Sequence, residues 1–151
     1  MKHHMADIDQ LEIAQMAVES SNYYLVNFQN LQNQKWKISW NWAAFFFGSI
    51  WFGYRKMYLP FSIILLGNIT LFVYADYKQL HLYIDPLIIL ENIVLGMFGN
   101  ALYFRALRKR KSRISKQPKL FRKMTGVNNW IFVIAPIMTI LTVALIRLLV
   151  P

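Results

Sequence analysis

The pattern of apolar and polar positions changes character along the chain. Over residues 6–33 apolar side chains recur at helical spacing. Leu11, Ala14 and Val18 lie three or four apart, and Tyr24, Phe28 and Leu31 repeat the pattern after a break at Ser20-Ser21-Asn22. Asp7 and Asp9 suit a helix start, where carboxylates complement the dipole. This predicts a small helical cap that packs on the rest or docks a protein partner through residues 6–33. Over residues 40–54, eight of fifteen side chains are aromatic, including Trp40, Trp42, Trp51 and Tyr54. A helix of that length covers about 22 Å, short of the ~30 Å hydrocarbon core. Trp and Tyr also favour the headgroup boundary. The stretch, with Asn41 inside it and Arg55 and Lys56 after it, reads as an interfacial or re-entrant helix; Gly48 and Gly53 offer bends.

Three long apolar runs follow. Residues 59–75 carry no charge, residues 87–104 carry only Glu91, and residues 127–150 carry only Arg147. Each predicts a membrane span. Pro60 falls in the first turn of its run, where a missing N–H costs little, and Pro136 predicts a kink. The expected fold is all-α: an integral membrane protein with three transmembrane helices, an aromatic interfacial or re-entrant helix and an N-terminal cap. Its parts are the cap (1–38), the aromatic segment (39–58) and a three-span domain (59–150) with a basic cytoplasmic loop at 105–123.

Charge sets the orientation. The 151 residues are 56% hydrophobic yet carry a net charge of +10, and ten of the seventeen Lys and Arg fall within 105–123. They include Arg105, Arg108, Lys109, Arg110, Lys111 and Arg113. Such a stretch stays cytoplasmic and attracts anionic phospholipid, so these residues are read as lipid-facing. Nucleic acid is the weaker reading, because no recognition module accompanies the charge. The N-terminus then lies inside with Lys35 and Lys37, and the C-terminus outside. If residues 40–54 instead cross, a four-span arrangement must export the cap. No cleavable signal peptide is expected. The absence of cysteine excludes disulfides, thiolate metal sites and a cysteine nucleophile.

Candidate chemistry is sparse. Glu91, the one carboxylate within an apolar run, joins Asn68, Asn92 and Asn100 as polar intramembrane candidates. The bland reading is a Glu near the headgroups and structural interhelical amides. Gly67, Gly96 and Gly99 predict close approach of the first two spans. His81 and Asp85, with Asp76 nearby, lack the further ligand a metal site needs, as do His3 and His4. No nucleophile elbow, zinc motif, P-loop or dinucleotide fingerprint occurs, so no enzyme and no cofactor are expected.

The run Ser39-Trp40-Asn41-Trp42-Ala43-Ala44-Phe45-Phe46-Phe47-Gly48, then Trp51 and Tyr54-Arg55-Lys56-Met57-Tyr58, resembles the hallmark of the DUF2628 family of small bacterial membrane proteins. Tyr23-Tyr24 and Phe28 upstream, and Gly99-Asn100-Ala101-Leu102-Tyr103 downstream, extend the resemblance over roughly residues 20–125. Ser49 stands where members commonly carry proline. The resemblance implies a bacterial inner-membrane protein and supplies no activity. The expected function is a non-enzymatic accessory or interaction protein. The alternatives are a small oligomeric transporter or channel lined by the four polar candidates, and an immunity-type protein.

Overall fold

The computed structural model describes residues 11–33 and 37–149. The fold is helical, with no strand among the described residues. Asp7, Asp9, His3, His4, Lys35 and the N-terminal part of the cap lie outside the described residues. A helical turn at 11–15 (α1) leads through Val18 and Ser20, both at positive φ, into α2 (Ser21–Asn33). In α2 the expected face is the buried one: Tyr24, Phe28 and Leu31. In α1 it is not. Ile13, Ala14, Met16 and Ala17 are buried while Leu11 and Val18 are exposed, because the chain leaves the helix before Val18.

The aromatic stretch is two short helices, α3 (Trp42–Phe47) and α4 (Ser49–Tyr54), broken at Gly48. Gly48 sits at φ 51°, ψ −127°, a conformation only glycine adopts without strain. The next helix, α5 (Tyr58–Lys78), is 21 residues long and ends at Gln79 in the left-handed conformation. A 3-10 turn (His81–Tyr83) leads into α6 (Ile84–Lys116), 33 residues long. After a second 3-10 turn (Pro118–Leu120) come α7 (Phe121–Met124) and α8 (Ile131–Leu149).

Helix α6 serves as a ruler for the aromatic hairpin. The chain enters beside its middle, where Ser39 and Asn41 donate their N–H groups to the carbonyls of Met97 and Gly96 (3.1 and 2.8 Å). It then moves toward the start of α6, and Gly48 lies against Asn92. There it reverses. Trp51 packs on Gly99 and Tyr103, and the carbonyls of Arg55 and Lys56 meet Arg110. From Asn92 to Arg110 is about 27 Å at ~1.5 Å per residue. The hairpin thus reverses beside Asn92 and runs back toward the C-terminal end of α6.

Two helices, α5 and α6, are long and apolar enough to cross a membrane by length and composition. Only 11% of the most apolar window of α5 is buried inside the protein, the reverse of a soluble core helix. The apolar part of α8, Ile131–Ile146, is shorter: about 24 Å at ~1.5 Å per residue, against a hydrocarbon core of ~30 Å. Pro136 lies inside this helix, which continues past it to Leu149. Two expectations need correction. Residues 105–116 are not a loop but the last turns of α6. And Gly96 and Gly99 do not face α5; they receive Trp40, Phe45, Ala44 and Trp51 of the aromatic segment, while nothing approaches Gly67 within 4 Å.

The core follows from this arrangement. Its buried members come from the cap (Ile13, Tyr24, Phe28), from the hairpin (Ala44, Trp51, Phe52) and from the second half of α6 (Ala101, Tyr103, Leu107). At the other end, α5, the start of α6 and α8 pack loosely around an open cleft.

Candidate functional site

Asn100 and Asn41 are fully buried and form the first polar cluster. Asn41 caps α3, its Oδ1 accepting from the Ala44 N–H at 2.9 Å, and its Nδ2 donates to Asn100 Oδ1 at 2.7 Å. Asn100 Nδ2 in turn has Tyr23 Oη (3.1 Å), Ser39 Oγ (3.1 Å) and the Trp40 carbonyl (3.3 Å) as acceptors. The Tyr23 hydroxyl donates a hydrogen bond to the Trp40 carbonyl at 3.1 Å, and Ser39 Oγ donates to Asn27 Oδ1. Both asparagine amides are thereby satisfied. The cluster joins the cap, the hairpin and α6.

Arg55 organises the second cluster. It is 95% buried and lies over three rings: Tyr24 at 4.8 Å, Tyr54 at 5.2 Å and Tyr103 at 5.4 Å from guanidinium carbon to centroid. Its Nη1 makes only long contacts, to the carbonyls of Ala17 (3.4 Å) and Glu19 (3.5 Å), and its Nε has no partner. The Glu19 carboxylate is engaged elsewhere, accepting from the Tyr54 hydroxyl at 2.5 Å. Burial pushes the Tyr24 phenol far above its ordinary range despite the neighbouring guanidinium, so it stays neutral. Among the described residues this buried cation has no carboxylate partner, and the ring faces of Tyr24, Tyr54 and Tyr103 surround it.

Beside it, cations hold the chain turn. Lys56 is left-handed at φ 58°. Arg110 donates from Nη2 to the Lys56 carbonyl (2.8 Å) and from Nη1 to the carbonyls of Arg55 (3.3 Å) and Met124 (3.2 Å). The Lys56 ammonium donates to the carbonyls of Thr125 (2.6 Å) and Arg122 (3.3 Å). Burial first, then the charge of Arg110, lowers the Lys56 pKa. Arg110 was expected to face lipid and instead clamps three carbonyls. Lys111, expected beside it, pairs with Glu12 of α1 at 2.6 Å. Arg105, Arg108, Lys109 and Arg113 are exposed.

The four polar candidates of the apolar runs do not share one path. Asn68 Nδ2 donates to Glu91 Oε1 at 3.1 Å, linking α5 to α6. Asn68 lines the open cleft of about 590 Å³, together with Leu65, Phe72, Ile88 and Ile140. Asn92 abuts Gly48, and Asn100 is sealed in its own cluster. The side chain of His81 lies outside the described residues, so its pairing with Asp85 is not described; among the described residues no three His, Asp or Glu cluster as a metal site.

The aromatic motif divides likewise: Asn41, Trp51 and Arg55 are buried, while Trp42, Phe46 and Phe47 face outward. Spacing placed Tyr24 on the cap face and the family resemblance included Tyr23, Ser39 and Tyr103, but neither assigned these residues to the asparagine or arginine cluster. The short spacing of Gly96, Gly99 and Asn100 was the available signal for the helix face that receives the motif. No curated protein and no solved structure shows significant similarity to the chain. Residues 15–109, which hold the cap helix, the hairpin and most of α6, match DUF2628, a family described as a protein of unknown function, and the chain belongs to that family.

Proposed function

We propose that the protein is a non-enzymatic accessory or interaction protein of a bacterial cytoplasmic membrane, with the cap and the basic end of α6 in the cytoplasm and the C-terminus outside. The observation that carries the membrane part is the outward apolar surface of α5 and α8. Leu59, Ile63 and Leu66 on α5, and Leu141 and Leu145 on α8, are all exposed. Hydrocarbon is the solvent in which such a surface is stable. The accessory role is supported by where the polar side chains are spent: Asn41, Asn100, Arg110 and Lys56 hold the fold together, while Val18 and Val26 of the cap stay exposed for a partner.

Fractionation tests the first part. The chain should remain with membranes through an alkaline wash and leave only with detergent; recovery in the soluble fraction contradicts it. Photo-crosslinking from Val26 tests the second, where one dominant adduct is expected and its absence counts against a cap-borne partner. One observation favours a transport reading instead, the Asn68–Glu91 bond beside the open cleft. Ion flux in proteoliposomes that is lost in Glu91→Gln would replace the accessory reading.

A further inference from the structure

A second cavity, of about 370 Å³, opens between the aromatic hairpin and the start of α8. Trp51 and Arg55 line it and are almost wholly buried, so they form its inner end; Phe47, Phe132 and Asn129 are exposed and form its rim. We propose that this cavity binds one anionic phospholipid through its headgroup phosphate, with Arg55 as the counter-charge. The inference rests on the membrane reading above.

Three features converge on a phosphate. Among the described residues the guanidinium has no carboxylate partner, and its Nε is unpartnered although the residue is 95% buried. A buried cation left so is costly unless an anion arrives. Asn129 places a second polar side chain at the rim, and a guanidinium suits phosphate oxygens by its planar fork of donors. The rim favours a lipid over a free anion. Phe47 and Phe132 meet edge to face at 5.8 Å with both rings exposed, a wall suited to the first carbons of an acyl chain. The position fits as well, because Arg55 ends the returning arm of the hairpin, next to the basic end of α6.

The test uses the full chain, purified in detergent and supplied with phosphatidylglycerol or phosphatidylcholine, with retained lipid counted by native mass spectrometry. One phosphatidylglycerol per chain is expected, retained in the presence of excess inorganic phosphate. Asn129→Asp, an exposed substitution that sets a negative charge on the rim, should weaken retention at least ~tenfold, as should Arg55→Gln. Asn129→Asp carries the test alone if Arg55→Gln does not fold. Arg108→Gln, on the exposed basic face, should leave retention unchanged. Equal retention of both lipids, indifference to Asn129→Asp, or loss in Arg108→Gln overturns the proposal. Displacement by inorganic phosphate would assign the cavity to a free anion and overturn the lipid source. A chain that binds no lipid yet needs detergent refutes this site alone; a chain soluble without detergent refutes the membrane reading beneath it.

Discussion

The two ends of the molecule are held together differently. At the capped end, α2, the hairpin and the second half of α6 meet through interlocked rings, a closed asparagine network and a cationic clamp on backbone carbonyls. At the open end, α5, the start of α6 and α8 surround a cleft, and an Asn68–Glu91 bond links the side chains of α5 and α6. The capped end specifies its own geometry. The open end leaves its outer surface to the surrounding solvent, which suits hydrocarbon, because lipid tails supply the dispersion contacts that protein neighbours do not.

The sharpest way to break this comparison is Asn100→Leu. It strands the Asn41 amide and removes a donor to Tyr23 and Ser39, so a loss of about 2–5 kcal/mol is expected from the orphaned buried groups. Thermal unfolding in detergent checks it; a Tm within a degree or two of the parent would mean the network is ornamental.

A glycine pair comes next. A Cβ at Gly99 would meet Ala44 Cβ at 2.9 Å, whereas one at Gly67 meets nothing within 4 Å. Gly99→Ala should therefore cost about 1–3 kcal/mol by overpacking the hairpin. Gly67→Ala should be neutral or stabilise by up to ~1 kcal/mol through helix propensity. Equal losses from both would restore the α5–α6 contact that spacing alone predicts.

The clamp gives an effect of similar size. Arg110→Gln should lower stability by about 1–3 kcal/mol, because three carbonyls lose a charged donor, while Arg108→Gln, two residues away on the exposed face, should be silent. Identical behaviour of the two would return Arg110 to the exposed basic set. At the open end, Glu91→Gln should change stability by no more than roughly 0.6–1.7 kcal/mol, the range of interhelical hydrogen bonds in membranes. A large loss in the same unfolding assay would make Asn68–Glu91 a structural keystone rather than a lone contact.

Much of the helical order was legible, for identifiable reasons. The long apolar runs marked α5, α6 and α8 because uninterrupted apolarity has few other uses. The reversal at Gly48 was legible as a stretch too short to span with glycines available to bend it. The cap face at Tyr24, Phe28 and Leu31 followed from spacing. Partnerships were not legible, since they depend on which faces meet. Asn100 was legible as a polar group within an apolar run, but not its partners, which lie up to 77 residues away in the cap and hairpin. Arg110 looked like its basic neighbours because charge patterning cannot see a backbone carbonyl. Residues 105–116 looked like a loop because hydropathy marks where apolarity ends, not where a helix does.

The central claim is that the aromatic segment enters and leaves on the same side as the cap. Single cysteines at Lys37, Tyr58 and Lys78 in this cysteine-free chain test it, with a membrane-impermeant thiol reagent on intact cells. Cysteines at Lys37 and Tyr58, which flank the hairpin, should both be protected until the membrane is permeabilised, and the cysteine at Lys78 should be labelled from outside. Opposite behaviour of the Lys37 and Tyr58 positions would mean that residues 40–54 cross, and would contradict the account.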